Sequence, residues 1–262
     1  MTHPRTKRFG QHMLMDEKAL DYEAAMLRPE GRIVLEIGGG TGNLSRRIAE
    51  TAKRLIIVEK DELMVETLTE LFEFDEKKNV KVIHSDFLDL TESEIMKRAK
   101  VKRIDLIVSN VPYAISSPLL FRLPGFSFEG ALLCLQKEFV QRMVAKPGDR
   151  DWSRLSVMTQ LYFRPIYLRS VKRGSFRPMP RVDSAMVMLT KTDEKHDGKR
   201  DKFIERLFSH RKNTVHSALR AEELETNYPD ADNAAEKLGL SERRVFTLTI
   251  DELKRLFEGT MR

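Results

Sequence analysis

The sequence predicts an α/β protein with an open, mostly parallel sheet, followed by a small helical module. Between residues 30 and 135, short runs rich in Val, Ile and Leu alternate with amphipathic stretches. This alternation is typical of parallel strands whose two faces are covered by helices. From residue 199 onward, apolar residues recur only at helical spacing. A chain of 262 residues is long enough for one α/β domain and a small appendage.

Buried strands dominate the first part of the chain. We predict them at Arg32–Ile37, Leu55–Glu59, Val80–Ile83, Ile104–Val108 and Gly130–Leu135. A helical pattern covers 61–72, and an amphipathic run covers 155–162. Two further β-like runs, at 166–171 and 186–190, favour additional strands in the same sheet.

The polar segment 192–199 predicts a linker. Apolar residues at helical spacing follow it, among them Phe203, Leu207 and Phe208. We therefore place a first domain at 1–192 and a small helical domain at 193–262.

Composition excludes several classes of protein. No run approaches the ~18 apolar residues of a membrane span, and the N-terminus lacks the apolar core of a secretory signal. The single cysteine, Cys134, lies in an apolar run and predicts a buried thiol in a reducing cytoplasm. The six histidines show no metal-ligand spacing, so we expect no metal site.

The net charge of +6 is compatible with a polyanionic partner and also with ordinary cytosolic basicity. The distribution of charged residues favours a polyanionic partner, because basic and acidic residues are clustered in different segments of the chain. The basic clusters lie at 5–8, 97–103, 172–181, 199–202 and 210–212, whereas 66–76 carries acidic residues and no basic ones.

A glycine-rich loop follows the first strand directly. Gly38, Gly40 and Gly42 would let the backbone approach a ligand where a side chain would collide. Asn43 stands where a dinucleotide-binding motif has its third glycine, and no Gly-Lys-Ser/Thr sequence of a phosphate loop follows. A glycine turn without a ligand remains the alternative.

Two carboxylates at the ends of later strands support a ligand site. Glu59 ends the second strand, where an acidic side chain can accept from ribose hydroxyls. Asp86 follows the third strand and can accept from an adenine amine. An adenosine-bearing ligand without a phosphate clamp fits this set, and S-adenosylmethionine is such a ligand.

The motif Asn110-Val111-Pro112-Tyr113 follows the fourth strand and suggests the reaction. An exocyclic amine is a poor nucleophile because its lone pair is delocalised into the ring. Acceptance of its two N–H groups, one by Asn110 and one by a backbone carbonyl beside Pro112, would direct the lone pair at a methyl group. Tyr113 offers an aromatic face for the purine. A strand-ending turn with a packed tyrosine is the alternative.

Across almost its whole length the chain resembles the KsgA family of small-subunit rRNA adenine N6,N6-dimethyltransferases. The segment 175–185, Ser-Phe-Arg-Pro-Met-Pro-Arg-Val-Asp-Ser-Ala, is the most specific match. The other matching stretches are 9–16, 36–42, 110–118, 135–138, 154–157 and 208–212 with Leu219. His210 and Asn213 resemble the archaeal branch of the family.

The resemblance implies a Rossmann-like, S-adenosylmethionine-dependent methyltransferase domain and a helical RNA-binding domain. It implies two methyl transfers to N6 of each of two adjacent adenines near the 3' end of small-subunit rRNA, on the immature subunit, by a cytoplasmic monomer. Asn110, Pro112, Tyr113 and Phe176 would form the catalytic set, with Phe176 stacking on the adenine opposite Tyr113. The residues expected at the cofactor are His12, Leu14, Gly38, Gly40, Glu59, Asp86 and Asn110.

The chain departs modestly from the family pattern. His12 stands where the family often has Asn, Val111 replaces a frequent Leu, and Ser153 replaces a frequent Gly. Rival interpretations are a large-subunit rRNA adenine methyltransferase, a non-catalytic RNA- or DNA-binding assembly factor that keeps the fold and, with less support, a DNA adenine methyltransferase.

Overall fold

The computed structural model describes residues 12–73 and 78–260. The predicted basic cluster 5–8, the start of the 9–16 motif and part of the acidic segment 66–76 lie outside these residues. The chain forms two compact units, one from Met1–Val140 with Arg164–Lys191 and one from Gln141–Phe163 with Thr192–Arg262. The assignment of functional domains to 1–192 and 193–262 stays a prediction, because residues 141–163 group with the helical unit.

Nine strands occur in the described residues. They are β1 (Met13–Leu14), β2 (Ile33–Ile37), β3 (Arg54–Glu59), β4 (Val80–His84), β5 (Leu106–Asn110), β6 (Gly130–Gln136), β7 (Phe163–Val171), β8 (Phe176–Arg177) and β9 (Ser184–Lys191). Seven of them form one sheet in the order β4-β3-β2-β5-β6-β9-β7. Strands β2 to β6 pair in parallel, and β9 runs antiparallel to β6. The predicted α/β fold is confirmed.

The central strands are buried because both of their faces are covered. Val34 and Leu35 on β2, and Ile56 and Ile57 on β3, are 0% exposed. Their side chains are β-branched or aliphatic, and each such residue contributes about 1.5–3 kcal/mol when it leaves water. Cys134 on β6 lies in the same core, as predicted.

The order of the sheet places a crevice at the end of β2. From β2 the chain proceeds outward through β3 and β4, then returns to the other side of β2 for β5 and β6. Ligands of open α/β sheets bind outside the carboxyl ends of the strands at such a switch point. The glycine loop, which follows β2, therefore lies where the fold class binds its ligand.

Twelve α-helices accompany the strands in the described ranges. They are α1 (Glu17–Leu27), α2 (Asn43–Thr51), α3 (Glu62–Glu73), α4 (Glu92–Ala99), α5 (Ser116–Arg122), α6 (Lys137–Met143), α7 (Arg154–Tyr162), α8 (Gly198–Ser209), α9 (Val215–Leu219), α10 (Glu222–Asn227), α11 (Ala231–Lys237) and α12 (Ile250–Gly259). None of the helices in the described part of the chain is both long and apolar enough to cross a membrane.

Helix α1 starts and stops at recognisable residues. The Asp16 side chain caps its N-terminus by accepting from the Ala19 amide at 3.0 Å. Arg28 ends it in a left-handed conformation with φ 53°. The buried face of α1 carries Ala19, Leu20, Glu23 and Leu27, so this helix brings one carboxyl group into the core.

The strands β1 and β8 form a separate two-stranded antiparallel ribbon. Met13 pairs with Arg177, and Leu14 pairs with Phe176. The ribbon is extended by one hydrogen bond, from the Met15 amide to the Ser175 carbonyl at 2.8 Å. It joins the segment at 13–14 to the segment at 176–177, which are far apart in the sequence of the first unit.

The second unit is helical, as the spacing of its apolar residues predicts. Phe203 and Leu207 on α8 are fully buried. Trp152 is also fully buried and donates from Nε1 to the Leu248 carbonyl at 3.2 Å. This tryptophan therefore packs inside the unit.

Candidate active site

A recess opens at the carboxyl ends of β2, β3 and β5. Seven of the predicted site residues line it: His12, Leu14, Gly38, Gly40, Glu59, Asn110 and Pro112. The remaining lining residues are Met13, Leu20, Glu36, Gly39, Thr41, Asn43 and Leu44. Three predicted residues, Asp86, Tyr113 and Phe176, are not part of this lining.

The glycine loop forms one wall of the recess. Gly38 has φ +78°, and a Cβ at this position would meet no protein atom within 4 Å. Its amide donates to the Val58 carbonyl at 2.9 Å, which ties the loop to β3. Gly38 therefore leaves free space in the recess that any side chain would fill, as a close ligand approach requires.

Glu59 is buried and holds the loop through its carboxylate. Oε1 accepts from the amides of Lys60 and Asp61 at 2.8 and 2.9 Å, and Oε2 accepts from the Gly40 amide at 3.0 Å. Since a carboxylate oxygen offers about two acceptor sites, Oε2 retains one. This geometry favours one further hydroxyl at Oε2 over the pair of ribose hydroxyls expected from the sequence.

Asp86 does not line the recess, and both of its carboxylate oxygens are engaged in local contacts. Its Oδ1 accepts from the Leu88 amide at 2.9 Å, and its Oδ2 pairs with the Lys60 ammonium at 2.6 Å. Partial burial acts to raise the pKa of Asp86, but the Lys60 ammonium and the Leu88 amide together hold it below its ordinary value. The predicted contact between Asp86 and an adenine amine stays a prediction.

The end of β5 positions Asn110. The Ser109 hydroxyl donates to the Ile37 carbonyl at 2.6 Å, and the Val111 amide donates to the Cys134 carbonyl at 3.1 Å. Asn110 itself donates from Nδ2 to Glu23 Oε2 at 3.2 Å. Its buried Oδ1 has no hydrogen-bond partner in the described structure. Since Asn110 lines the recess and this oxygen lacks a donor, the amide is suited to accept an N–H group of a ligand.

Two backbone carbonyls next to the Pro112 ring, those of Val111 and Pro112, are candidates for the second amine contact. The Pro112 carbonyl accepts from the Ile115 amide at 3.0 Å, which closes the 3-10 turn at Tyr113–Ile115. The carbonyl of Val111 is thus the better candidate for the second amine contact predicted from the sequence.

The two aromatic residues of the predicted substrate site are held differently. The Tyr113 hydroxyl hydrogen-bonds with the Ser184 hydroxyl at 2.7 Å, and its ring lies 5.4 Å from the ring of His12. Phe176 is only 3% exposed and packs in the apolar cluster that contains Leu14 and Val171. The stacking of an adenine between Tyr113 and Phe176 stays a prediction, and in this conformation Phe176 is covered.

His12 is bound by its neighbours at the rim. Its Nδ1 lies 2.7 Å from the Pro178 carbonyl, which fixes the ring against the segment that carries the most family-specific motif.

Within 12–73 and 78–260, no group of three or more potential ligand side chains could hold a metal ion.

Sequence reasoning missed two buried carboxyl groups of this site. Burial raises the pKa of Glu23 to about 8, and the nearby Glu36 carboxyl adds to the rise. Burial likewise raises the pKa of Glu36 to about 8, with a contribution from Glu59. One oxygen of each, Glu23 Oε1 and Glu36 Oε2, lacks a hydrogen-bond partner among the described residues. Glu23 stood out in principle, because it interrupts the apolar face of a helix that includes Leu20 and Leu27.

The fold and site together define a Rossmann-like methyltransferase: a switch point at β2, a glycine loop, an acidic residue ending β3 and an Asn-x-Pro-Tyr motif ending β5. The sequence pattern of one family, ribosomal RNA adenine dimethylase, matches residues 2–254. The chain belongs to this family, and the protein is an rRNA adenine dimethyltransferase.

Individual relatives agree with this assignment. A probable ribosomal RNA small subunit methyltransferase A of Thermococcus onnurineus is 35% identical over 94% of this chain and 89% of its own. A dimethyladenosine transferase of Plasmodium falciparum has a similar structure, with a TM-score of 0.84 and 26% identity over 95% of this chain and 98% of its own. The 23S rRNA methyltransferase ErmE gives a TM-score of 0.69 and 26% identity over 95% and 100% of the two chains.

Proposed function

We propose that this enzyme transfers methyl groups from S-adenosylmethionine to N6 of two adjacent adenines near the 3' end of small-subunit rRNA. The observation that carries the proposed chemistry is that Asn110 lines the recess and that its buried Oδ1 has no hydrogen-bond partner in the described residues. The substrate is supported by the small-subunit name of the Thermococcus relative, whose sequence this chain matches over most of its length.

The recess fits the proposed donor. S-adenosylmethionine supplies an electrophilic methyl group on a sulfonium and also carries an ammonium group. Two buried carboxyl groups, Glu36 and Glu59, line this recess, and Glu36 Oε2 lacks a hydrogen-bond donor in the described structure. The ammonium group of a bound donor would offer that oxygen a hydrogen bond, which would offset part of the cost of burying the carboxyl group. Gly38 provides the space for close approach.

The chain's contribution to the reaction is orientation. Asn110 Oδ1 would accept one N–H of the target amine and the Val111 carbonyl the other, so that the nitrogen lone pair points at the methyl carbon. The N–C bond forms as the S–C bond breaks, and the proton leaves for solvent after attack. Fixing two reactants in this way can supply several kcal/mol of the barrier reduction.

The adenine must leave its stack to enter such a site. Stacking on Tyr113, and on Phe176 once the ribbon uncovers it, would offset part of that cost, about 1–3 kcal/mol per base. We further propose that the enzyme acts as a monomer in the cytoplasm on the immature small subunit, with the helical domain at 193–262 holding RNA by shape and phosphate contacts.

The substitution Asn110→Ala tests the proposed chemistry. Removal of the amide oxygen leaves one amine N–H without an acceptor, so methyl incorporation should fall about 100-fold or more, the usual loss for one oriented polar group. Methyl incorporation into unmethylated small subunits, measured with labelled donor, reports the effect. RNA affinity should stay unchanged.

Thr69→Ala is the control, since Thr69 is an exposed polar residue on α3 that does not line the recess. It should behave as the parent protein. Turnover by Asn110→Ala at the parent rate would remove Asn110 from the catalytic set.

A comparison of substrates tests the alternative that the enzyme methylates large-subunit rRNA. Methyl transfer to immature small subunits and to protein-free large-subunit rRNA should be compared under one condition, and mass spectrometry should locate the modified adenines. Preferential modification of large-subunit rRNA would contradict the small-subunit assignment.

A further inference from the structure

Glu23 is the one carboxyl group that contacts Asn110 among the described residues. It lies on α1, is 0% exposed, and accepts from Asn110 Nδ2 through Oε2 at 3.2 Å. The motif at the end of β5 does not require such a partner by its own geometry. The other buried side chains of α1 are apolar. Burying a carboxyl group among them costs free energy of desolvation, which suggests that Glu23 has a role other than packing.

The two ends of an asparagine amide have almost the same shape but opposite hydrogen-bonding roles. With Oδ1 toward the recess, Asn110 can accept from an incoming amine. With the amide turned by half a rotation, Nδ2 would face that amine, and two donors would oppose each other. Packing distinguishes these orientations poorly, so a hydrogen-bond partner must select one.

Glu23 supplies that selection. Its Oε2 is an acceptor, so it favours the orientation in which Nδ2 faces α1 and Oδ1 faces the recess. A proton on the carboxyl group can reside on Oε1, which has no partner within the described part of the chain. Oε2 therefore stays an acceptor whether or not Glu23 is ionised.

We propose that Glu23 is a positioning residue that holds the Asn110 amide with its oxygen toward the substrate amine. The inference rests on the proposed role of Asn110 as the amine acceptor. Glu23 itself does not line the recess, so it acts through Asn110 rather than on either substrate.

The test compares Glu23→Leu with Glu23→Gln. Leucine removes the acceptor but keeps a side chain of similar size, so the amide loses its preferred orientation. We expect kcat to fall about tenfold, the factor that corresponds to one hydrogen bond in the transition state, while KM for the donor stays within about twofold of the parent. Glutamine retains a carbonyl acceptor and should restore most of kcat.

Leu27→Ala is the matched control. Leu27 lies one helical turn beyond Glu23 and is also buried, 3% exposed, so its truncation should lower the melting temperature without lowering kcat. Melting curves of all variants show whether each is folded at the assay temperature. A purely structural Glu23 would couple activity to stability across these variants.

Three results are decisive. A tenfold lower kcat in Glu23→Leu with recovery in Glu23→Gln supports the positioning role. Parent-like turnover in Glu23→Leu, beside an inactive Asn110→Ala, overturns this inference and leaves the proposed chemistry intact. Full activity in Asn110→Ala overturns both.

Discussion

At the scale of single residues, the site is notable for carboxyl groups that are kept out of water. Glu23 and Glu36 each have a pKa raised to about 8 by burial, compared with an ordinary value of 4.5. The Glu59 carboxylate adds to the rise in the pKa of Glu36, and the Glu36 carboxyl adds to the rise in the pKa of Glu23. Burial of these carboxyl groups costs free energy, and a cationic ligand that donates to Glu36 would offset part of that cost.

This cost predicts how the stability of the ligand-free enzyme depends on pH. Between about pH 4.5 and pH 8 the unfolded chain has released these protons while the folded chain retains them. The folded state then binds more protons, so the free energy of unfolding decreases as pH rises through that window. Each group contributes up to about 1.4 kcal/mol per pH unit.

Chemical denaturation of the ligand-free protein at several pH values measures this slope. Glu23→Leu should show a shallower decline than the parent, because it lacks one of the two titrating groups. A parent protein whose stability rises steadily from pH 5 to pH 8, after correction for the other groups, would contradict the assignment of both carboxyls.

At the scale of elements, the glycine loop after β2 provides a second prediction. Gly38→Ala adds a methyl group where no protein atom lies within 4 Å, so the group would occupy ligand space. The positive φ adds a cost of about 1 kcal/mol to the folded state. Affinity for S-adenosylmethionine should therefore fall at least tenfold while the fold persists.

Gly31→Ala separates the two effects. Gly31 also has a positive φ, +68°, and open space around its missing Cβ, but it precedes β2 and does not line the recess. It should show the stability cost with unchanged donor affinity by calorimetry. Equal losses of donor affinity in both variants would assign the effect to backbone strain instead.

The elements that could be predicted from sequence are those with a strong local pattern. Strands β2, β3, β5 and β6 each contain a continuous apolar run, and the glycine loop follows directly from the motif at 36–42. The ribbon of β1 and β8 could not be predicted, since two-residue strands carry no hydrophobic period and pair across more than 160 positions of sequence, as in Leu14 with Phe176. Glu23 was missed for a similar reason, because its partner Asn110 is distant in the chain.

The contacts of the predicted site residues were the least accessible to sequence reasoning. A motif shows that Glu59 and Asp86 follow strands, but not that backbone amides already occupy most of the Glu59 carboxylate or that Lys60 pairs with Asp86. These contacts depend on side-chain directions, which the order of residues along the chain leaves open.

At the scale of the whole molecule, the distribution of basic residues predicts how the affinity for RNA depends on salt. The net charge of +6 is carried partly by clusters at 97–103, 172–181 and 199–202. Release of counterions from neutralised phosphates makes such binding weaken steeply with salt. The logarithm of the RNA affinity should thus fall linearly with the logarithm of the salt concentration.

A single exposed lysine tests this dependence. Lys202→Gln, on α8, should reduce the salt slope by about one unit if this lysine contacts a phosphate. Lys53→Gln, an exposed lysine outside the basic clusters, should leave the slope unchanged in filter-binding or fluorescence titrations. Equal slopes in all three proteins would exclude the 199–202 cluster from the RNA footprint.

The ribbon of β1 and β8 has a mechanical consequence. It bonds Leu14, on the wall of the recess, to Phe176, in the motif expected to meet the base. A displacement that uncovers Phe176 would also displace Leu14. Binding of the methyl donor at Leu14 would therefore change the free energy of nucleotide binding at Phe176, and nucleotide binding would change the free energy of donor binding by the same amount. Binding of the methyl donor and binding of the nucleotide would in this way be coupled through the two residue pairs of the ribbon, in addition to the direct contact of the reacting atoms.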